Sequence, residues 1–227
     1  MSDVLKVGFI MEGKTDGVYL EAVLEKILNG KSYIPNYIQP EYSNILSSEP
    51  KPGGWGQIYH WCIQAQEQNG GDIFNSYIFD INDIVILHID GDVSEKTYRD
   101  INVDETIPDL PCVEPCPPIN NTIKQLERVI YRWLGITELP IKMIFCIPAR
   151  NLETWICASM FFNEIRDISD IECNTIPETI LRKKRIYKDK KVYSENRNFF
   201  IENWENVLTL CSQAKEFNDS ILTIISE

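Results

Sequence analysis

Residues 83–92 read Asp-Ile-Val-Ile-Leu-His-Ile-Asp-Gly-Asp. Between its terminal acids the run is almost wholly apolar and rich in β-branched side chains, which suits a strand with both faces buried. Strands of that kind belong to parallel sheets covered by helices on two sides, so the stretch points to an α/β protein. It ends in two acids flanking a glycine. Side chains alternate along a strand, so Asp90 and Asp92 are expected on one face if the extended chain persists through Gly91, with the glycine leaving space over the pair.

Working outward, Val4–Ile10 is a second buried-strand pattern, closed by Glu12-Gly13. From about Asp16 to Leu28 the apolar residues Val18, Leu20, Val23, Leu24, Ile27 and Leu28 fall near one helical stripe. Gly13 is expected to allow a turn with backbone angles barred to other residues. Tyr33–Gln39 suits a further strand, Ser43–Gly56 a loop, and Gln57–Gln68 a helix. The long, polar, Pro-rich stretch from Asp92 to Pro118 reads as a loop of functional or partly disordered type. Asn121–Leu134 is an amphipathic helix, Pro140–Pro148 a buried strand, and Leu152–Phe162 a helix capped by Asn151. Ser194–Ser212 and Ala214–Ile225 predict two terminal helices. Repeated strand–helix order predicts a mostly parallel sheet flanked by helices (residues 1–164), followed by a helical C-terminal extension (165–227).

Composition narrows the class. The 227 residues are 44% hydrophobic and include five Trp, ten Tyr and nine Phe, enough for a packed core. No apolar run approaches the roughly 18 residues of a membrane span, and the N-terminus lacks a signal-peptide pattern, so a cytoplasmic protein is expected. Of the seven cysteines, Cys62, Cys146, Cys157 and Cys211 lie in apolar runs, which fits buried free thiols better than a disulfide framework. Cys112 and Cys116, in CVEPCPP, have no second Cys/His pair to complete a zinc site. A net charge of -12 argues against coating nucleic acid by bulk attraction. Basic residues are nevertheless concentrated in one window, Arg182, Lys183, Lys184, Arg185, Lys188, Lys190 and Lys191, which is either a solvated loop or a phosphate-tracking patch.

The acids carry the chemistry. Open α/β sheets bind ligands beyond the carboxyl ends of their strands. Glu12 follows one strand, with Asp16 at the start of the next helix, and Asp90 and Asp92 end another. Taken singly, such acids often act only as caps or turn residues. Packed together they repel one another, and a divalent cation removes that cost; Mg²⁺ takes oxygen ligands of this kind. His60 suits a helix face, and His88 a satisfied core position.

The runs GFIMEGKTDGVYLEAVL (8–24) and IVILHIDGD (84–92) together resemble the TOPRIM fold of topoisomerases, bacterial primases and overcoming-lysogenization-defect nucleases. The family's Glu after the first strand and its Asp-x-Asp after a later one fall on Glu12, Asp90 and Asp92. The EGKTD form, with Asp16, looks most similar to the nuclease branch and to small stand-alone TOPRIM proteins encoded beside ATPases in phage-defence loci. Ala149–Trp155 resembles their R-x-x-E-x-W run, which implies Glu153 as a further metal ligand and Arg150 as a phosphate contact; Glu153 is otherwise a first-turn acid favouring the helix dipole. A topoisomerase's tyrosine-bearing domain and a primase's zinc module have no counterpart here.

The resemblance therefore implies a Mg²⁺- or Mn²⁺-dependent endonuclease of a phage-defence system with an ATPase partner. Its metal ligands would be Glu12, Asp16, Asp90, Asp92 and Glu153. Glu12, Asp90 and Asp92 would be catalytic, with a lysine near the second metal, for which Lys188 and Lys191 are the candidates. Arg150, Lys183, Lys184, Arg185, Lys188 and Lys191 would contact nucleic acid. The competing expectation is a non-catalytic TOPRIM-like subunit that senses metal or docks an ATPase.

Overall fold

A computed structural model describes residues 4–40, 54–104 and 108–226. Four parallel strands form one sheet: β1 (Leu5–Ile10), β2 (Tyr33–Gln39), β3 (Ile84–His88) and β4 (Met143–Cys146), in the order β2-β1-β3-β4. Helices α1 (Lys14–Leu28), α2 (Trp55–Gln68) and α4 (Asn120–Leu134) lie in the connections between strands, and a single turn, α3 (Ile78–Ile81), leads into β3. The α/β expectation holds, with a sheet that is parallel throughout.

Strand alternation sorts the core into two layers. Val7, Phe9, Ile84, Ile86, Ile144 and Cys146 point to one face, which is covered by α1, by α5 (Leu152–Ile165) and by the C-terminal helices. Ile10, Val85, Leu87, Ile89, Met143 and Ile147 point to the other, covered by α2 and α4. Apolar side chains on both sides of each strand are why 83–90 shows no polar alternation.

On the second face Trp55, Tyr59, Tyr98 and Trp133 pack as a buried aromatic cluster, Tyr59 edge-on to Trp133 with ring centroids 5.4 Å apart. The Trp133 indole N–H donates to the Tyr98 hydroxyl at 2.9 Å, which fastens the segment after β3 to α4. That segment, expected as a loop, contains two 3₁₀ turns, Gly91–Glu95 and Tyr98–Ile101, the second closed by a Thr97/Asp100 capping box.

The C-terminal region is helical but more broken than its sequence pattern predicts. After α6 (Ile176–Lys183), residues 190–210 form three short helices, α7 (Lys190–Glu195), α8 (Arg197–Glu202) and α9 (Trp204–Leu210), rather than one; α10 (Ser212–Ser226) follows. The breaks fall at Asn196, Asn203 and Cys211, and the amides of both asparagines bond back to backbone carbonyls of the preceding turn. Trp204 and Phe217 pack against Trp155 of α5, so the helices from α8 onward share the core of the sheet's first face.

Cys62, Cys146, Cys157 and Cys211 are buried free thiols, as expected. Cys116 and Cys173, which the sequence did not pair, form a disulfide. The cause is tertiary: the Pro-rich segment folds back on the turn after α5, bringing residues 57 apart in sequence together. Cys112 remains a free thiol, so CVEPCPP is not a paired metal site. The loop expected over 43–56 lies largely outside the described residues, and its last two residues, Trp55 and Gly56, already belong to α2. Among the described residues no helix is long and apolar enough to cross a membrane.

Candidate active site

Strand order reverses between β1 and β3: the chain leaves β1 for β2 on one side and later adds β3 and β4 on the other. At such a switch point the connections diverge to opposite faces and leave a crevice at the strands' carboxyl ends. Glu12 and Asp90 stand at the two ends that flank it.

Both acids are built into the frame. The Asp90 backbone N–H donates to Glu12 Oε1 at 2.8 Å, joining the ends of β1 and β3. Asp90 Oδ1 accepts from the Leu152 N–H at 3.2 Å and so caps α5, the helix that follows β4. Asn151 was the expected cap. It occupies the cap position in extended conformation, but its amide instead donates to Glu178 Oε1 at 2.9 Å.

Two backbone expectations change. Gly13 has φ -155° and ψ 158°, extended angles open to any residue. What constrains it is space, since a Cβ there would lie 3.2 Å from Asp16 Oδ2. The strand does not persist through Gly91, which begins a 3₁₀ turn, so Asp90 and Asp92 do not share one strand face. Gly91 is needed because its backbone presses on the loop after β4: a Cβ would lie 2.3 Å from the Ala149 carbonyl oxygen and 2.5 Å from that of Pro148. The Gly91 and Asp92 N–H groups donate to Pro148 and Arg150 carbonyls at 2.9 and 2.8 Å.

Asp16, in the first turn of α1, is 0% exposed. Its Oδ1 lies 2.7 Å from Nζ of Lys188, which also approaches Asp90 Oδ2 at 3.9 Å. Burial works against the Lys188 ammonium, but Asp16, Asp90 and Glu153 outweigh it and hold its pKa above the usual lysine value. Glu153, in the first turn of α5, is half-buried; burial raises its pKa, Lys188 opposes the rise, and the charges of Asp90 and Asp16 add to it. Burial and the neighbouring Asp90 charge push Glu12 up to about 7. In Asp90 burial acts upward, but the hydrogen bond and charge of His88, with Lys188, bring the carboxyl below its ordinary range.

His88 belongs to this cluster, which corrects its reading as a satisfied core residue. It is fully buried with Nε2 3.5 Å from Asp90 Oδ1. Burial lowers its pKa, but the hydrogen bond and charge of Asp90 and the charges of Asp16 and Glu12 turn the net shift upward. The clue available in the sequence was parity, since His88 and Asp90 are two residues apart where the extended strand pattern of 83–90 ends. His60 is an exposed residue of α2, as expected.

The remaining candidates are dispersed. Asp92 is partly buried beside the cluster, 3.7 Å from Lys96 Nζ; burial raises its pKa, Lys96 counters, and Asp90 adds to the rise. Arg150 pairs with Glu95 at 2.9 Å and with Glu178 at 3.7 Å. Lys184 pairs with Glu164 at 2.8 Å and sits over the Phe161 ring, while Lys183 and Arg185 are exposed. Lys191 is 83% exposed and 3.9 Å from Glu195, so of the two lysine candidates the fold brings Lys188 to the carboxylates. Asp189 caps α7 through the Lys191 and Val192 N–H groups, which sets where the neighbouring Lys188 emerges.

Among the described residues no three His, Cys, Asp or Glu side chains stand converged as a metal-holding group. The donors nevertheless fit a hard divalent cation in type. They are carboxylate oxygens, one of them on a fully buried aspartate, and the repulsion that lifts Glu12 is the kind a cation relieves. The chain matches no family model, no curated protein and no solved structure, which leaves this cluster as the ground for a functional reading.

Proposed function

We propose that the protein is a Mg²⁺- or Mn²⁺-dependent nuclease that hydrolyses phosphodiester bonds in nucleic acid. The observation that carries the proposal is the gathering of Glu12, Asp16, Asp90 and Glu153 around the Lys188 ammonium, at the switch point of a parallel sheet. Glu12, Asp16, Asp90, Asp92 and Glu153 would hold one or two ions. A bound ion supplies Lewis-acid polarisation of the phosphate and activation of water. Glu12 either holds the ion or takes the proton of the attacking water. Lys188, steered by Asp16, offers its ammonium to charge developing on the phosphate or on the leaving oxygen. Arg150 and the exposed Lys183, Arg185 and Lys191, with Lys184, would guide the strand. Action in phage defence beside an ATPase is part of this reading and rests on the TOPRIM resemblance; a cytoplasmic location goes with it, favoured by the buried free thiols and opposed by the Cys116–Cys173 disulfide. The test is cleavage of DNA and RNA with Mg²⁺ or Mn²⁺ by wild type, Glu12→Gln, Asp90→Asn and Lys188→Met. Loss in all three variants is expected, and equal residual activity in all four proteins overturns the proposal.

A second reading, a non-catalytic metal-sensing or ATPase-docking subunit, is favoured by one observation. Lys188 already neutralises Asp16, and no ligand trio stands converged among the described residues. Mn²⁺ calorimetry with the cleavage assay separates the two: binding without cleavage of any substrate supports the second.

A further inference from the structure

The two edges of the sheet are treated differently by the sequence. In β2, alternation from the Leu5 N–H to Ser32 carbonyl bond places Pro35 at an outward-facing position, so the middle of that edge has no donor to offer. Proline at such a place guards an edge against strand addition. β4, Met-Ile-Phe-Cys, carries no proline and no charge. The Lys142 and Cys146 carbonyls accept from Val85 of β3 and from Ile89 just past its end, so alternation turns the Phe145 N–H and C=O outward. Lys142, the nearest charge, is directed elsewhere, with its Nζ on the Phe79 and Asn82 carbonyls at 2.6 and 3.2 Å.

This edge forms the floor of a groove of about 430 Å³ between α4 and α10. The Met143 N–H is already held by the Pro140 carbonyl at 2.8 Å, so the part open to a new strand is centred on Phe145, the one residue of β4 that is not fully buried. Tyr131, Phe145 and Ile224 line it, and Ile141 at its entrance is 82% exposed. Glu127 from α4 and Glu216 from α10 supply its acidic groups; burial raises the Glu127 pKa, the charge of Glu216 adds to the rise, and Lys124 on the same helix only partly offsets it. Two like charges lining a groove invite a cation between them. A second copy of this chain would bring the same carboxylates and its own net charge of -12, so it is the wrong occupant.

We infer that the β4 edge is a docking site for an extended basic segment of a partner protein. The segment adds to the sheet as a fifth strand, with apolar side chains on the groove floor and a Lys or Arg between Glu127 and Glu216. The surface is separate from the carboxylate cluster, so the inference stands whichever function that cluster has.

Fluorescence anisotropy tests this with a labelled peptide of alternating valine and lysine, its fully backbone-N-methylated form, and a valine–glutamate counterpart. The N-methylated peptide keeps the charge and loses the donors, so it separates strand addition from simple attraction to an acidic protein. The valine–lysine peptide is expected to bind at least about tenfold more tightly than either control. Glu127→Lys/Glu216→Lys, at a half-buried and an exposed position, is expected to invert the preference toward valine–glutamate. Absent binding of the valine–lysine peptide, equal binding of its N-methylated form, or an unchanged preference in the double variant overturns the inference. So does a dimer in sedimentation that Phe145→Asp dissolves, since it would make a second copy the occupant.

Discussion

Glu12 accepts a hydrogen bond from the Asp90 backbone N–H at 2.8 Å, so a carboxylate proposed for chemistry also holds two strand ends together. Structural and chemical roles of Glu12 are therefore separable by substitution. Glu12→Gln keeps an acceptor for that N–H, whereas Glu12→Ala leaves it unsatisfied. Urea denaturation should show Glu12→Ala destabilised by about 1–3 kcal/mol and Glu12→Gln by much less. Both should lose Mn²⁺ affinity in calorimetry if the carboxylate is a ligand.

The same residue makes stability depend on pH. The Glu12 pKa is raised by burial and Asp90 from 4.5 to about 7 in the folded protein. A raised carboxyl holds its proton more tightly when folded, so its contribution is fully present below about pH 4.5 and is lost as pH rises through about 7. In chelator, wild type should lose on the order of 2–3 kcal/mol relative to Glu12→Gln between these limits, read from urea midpoints across the range. A flat difference between the two proteins would contradict the assignment.

Lys188 neutralises an aspartate that is 0% exposed, although the Lys188 side chain is itself 38% exposed. Removing one partner of a buried pair costs several kcal/mol, and solvent at the lysine reduces that here. Lys188→Met should cost about 1–3 kcal/mol. Combining it with Asp16→Asn should cost less than the sum of the single changes, which a double-mutant cycle by thermal denaturation measures.

Gly91 and Gly13 should respond unequally to alanine. A Cβ at Gly91 meets two backbone carbonyl oxygens, at 2.3 and 2.5 Å, which cannot move without shifting the loop after β4. Gly91→Ala should cost roughly 2–4 kcal/mol, and Gly13→Ala, with extended backbone and one side-chain oxygen at 3.2 Å, clearly less. Differential scanning calorimetry of the two variants checks the order.

The Cys116–Cys173 bridge closes a loop spanning 57 residues. Constraining the unfolded chain over such a loop is worth about 2–4 kcal/mol. A reductant should lower the wild-type melting temperature, while Cys116→Ser/Cys173→Ser should melt at that lower temperature with or without reductant.

Local pattern was enough to identify β3, because a nearly unbroken apolar run such as 84–89 fits few environments besides a doubly covered parallel sheet. It also located Glu12, Asp16 and Asp90, because strand ends and first helical turns are legible from periodicity, whereas Glu153 was singled out by the resemblance of 149–155 to a family motif. Tertiary structure decided the rest. His88 joined the acids because burial put it beside Asp90 with little else to bond. Lys188, rather than Lys191, reached Asp16 because the Asp189 cap directs the chain at α7. Asp92 left the strand face because Gly91 is pressed against Ala149 and turns there. The disulfide required residues 57 apart to meet. Sequence periodicity reports which face of an element a side chain takes; which distant charge or sulfur arrives opposite it depends on how the elements pack.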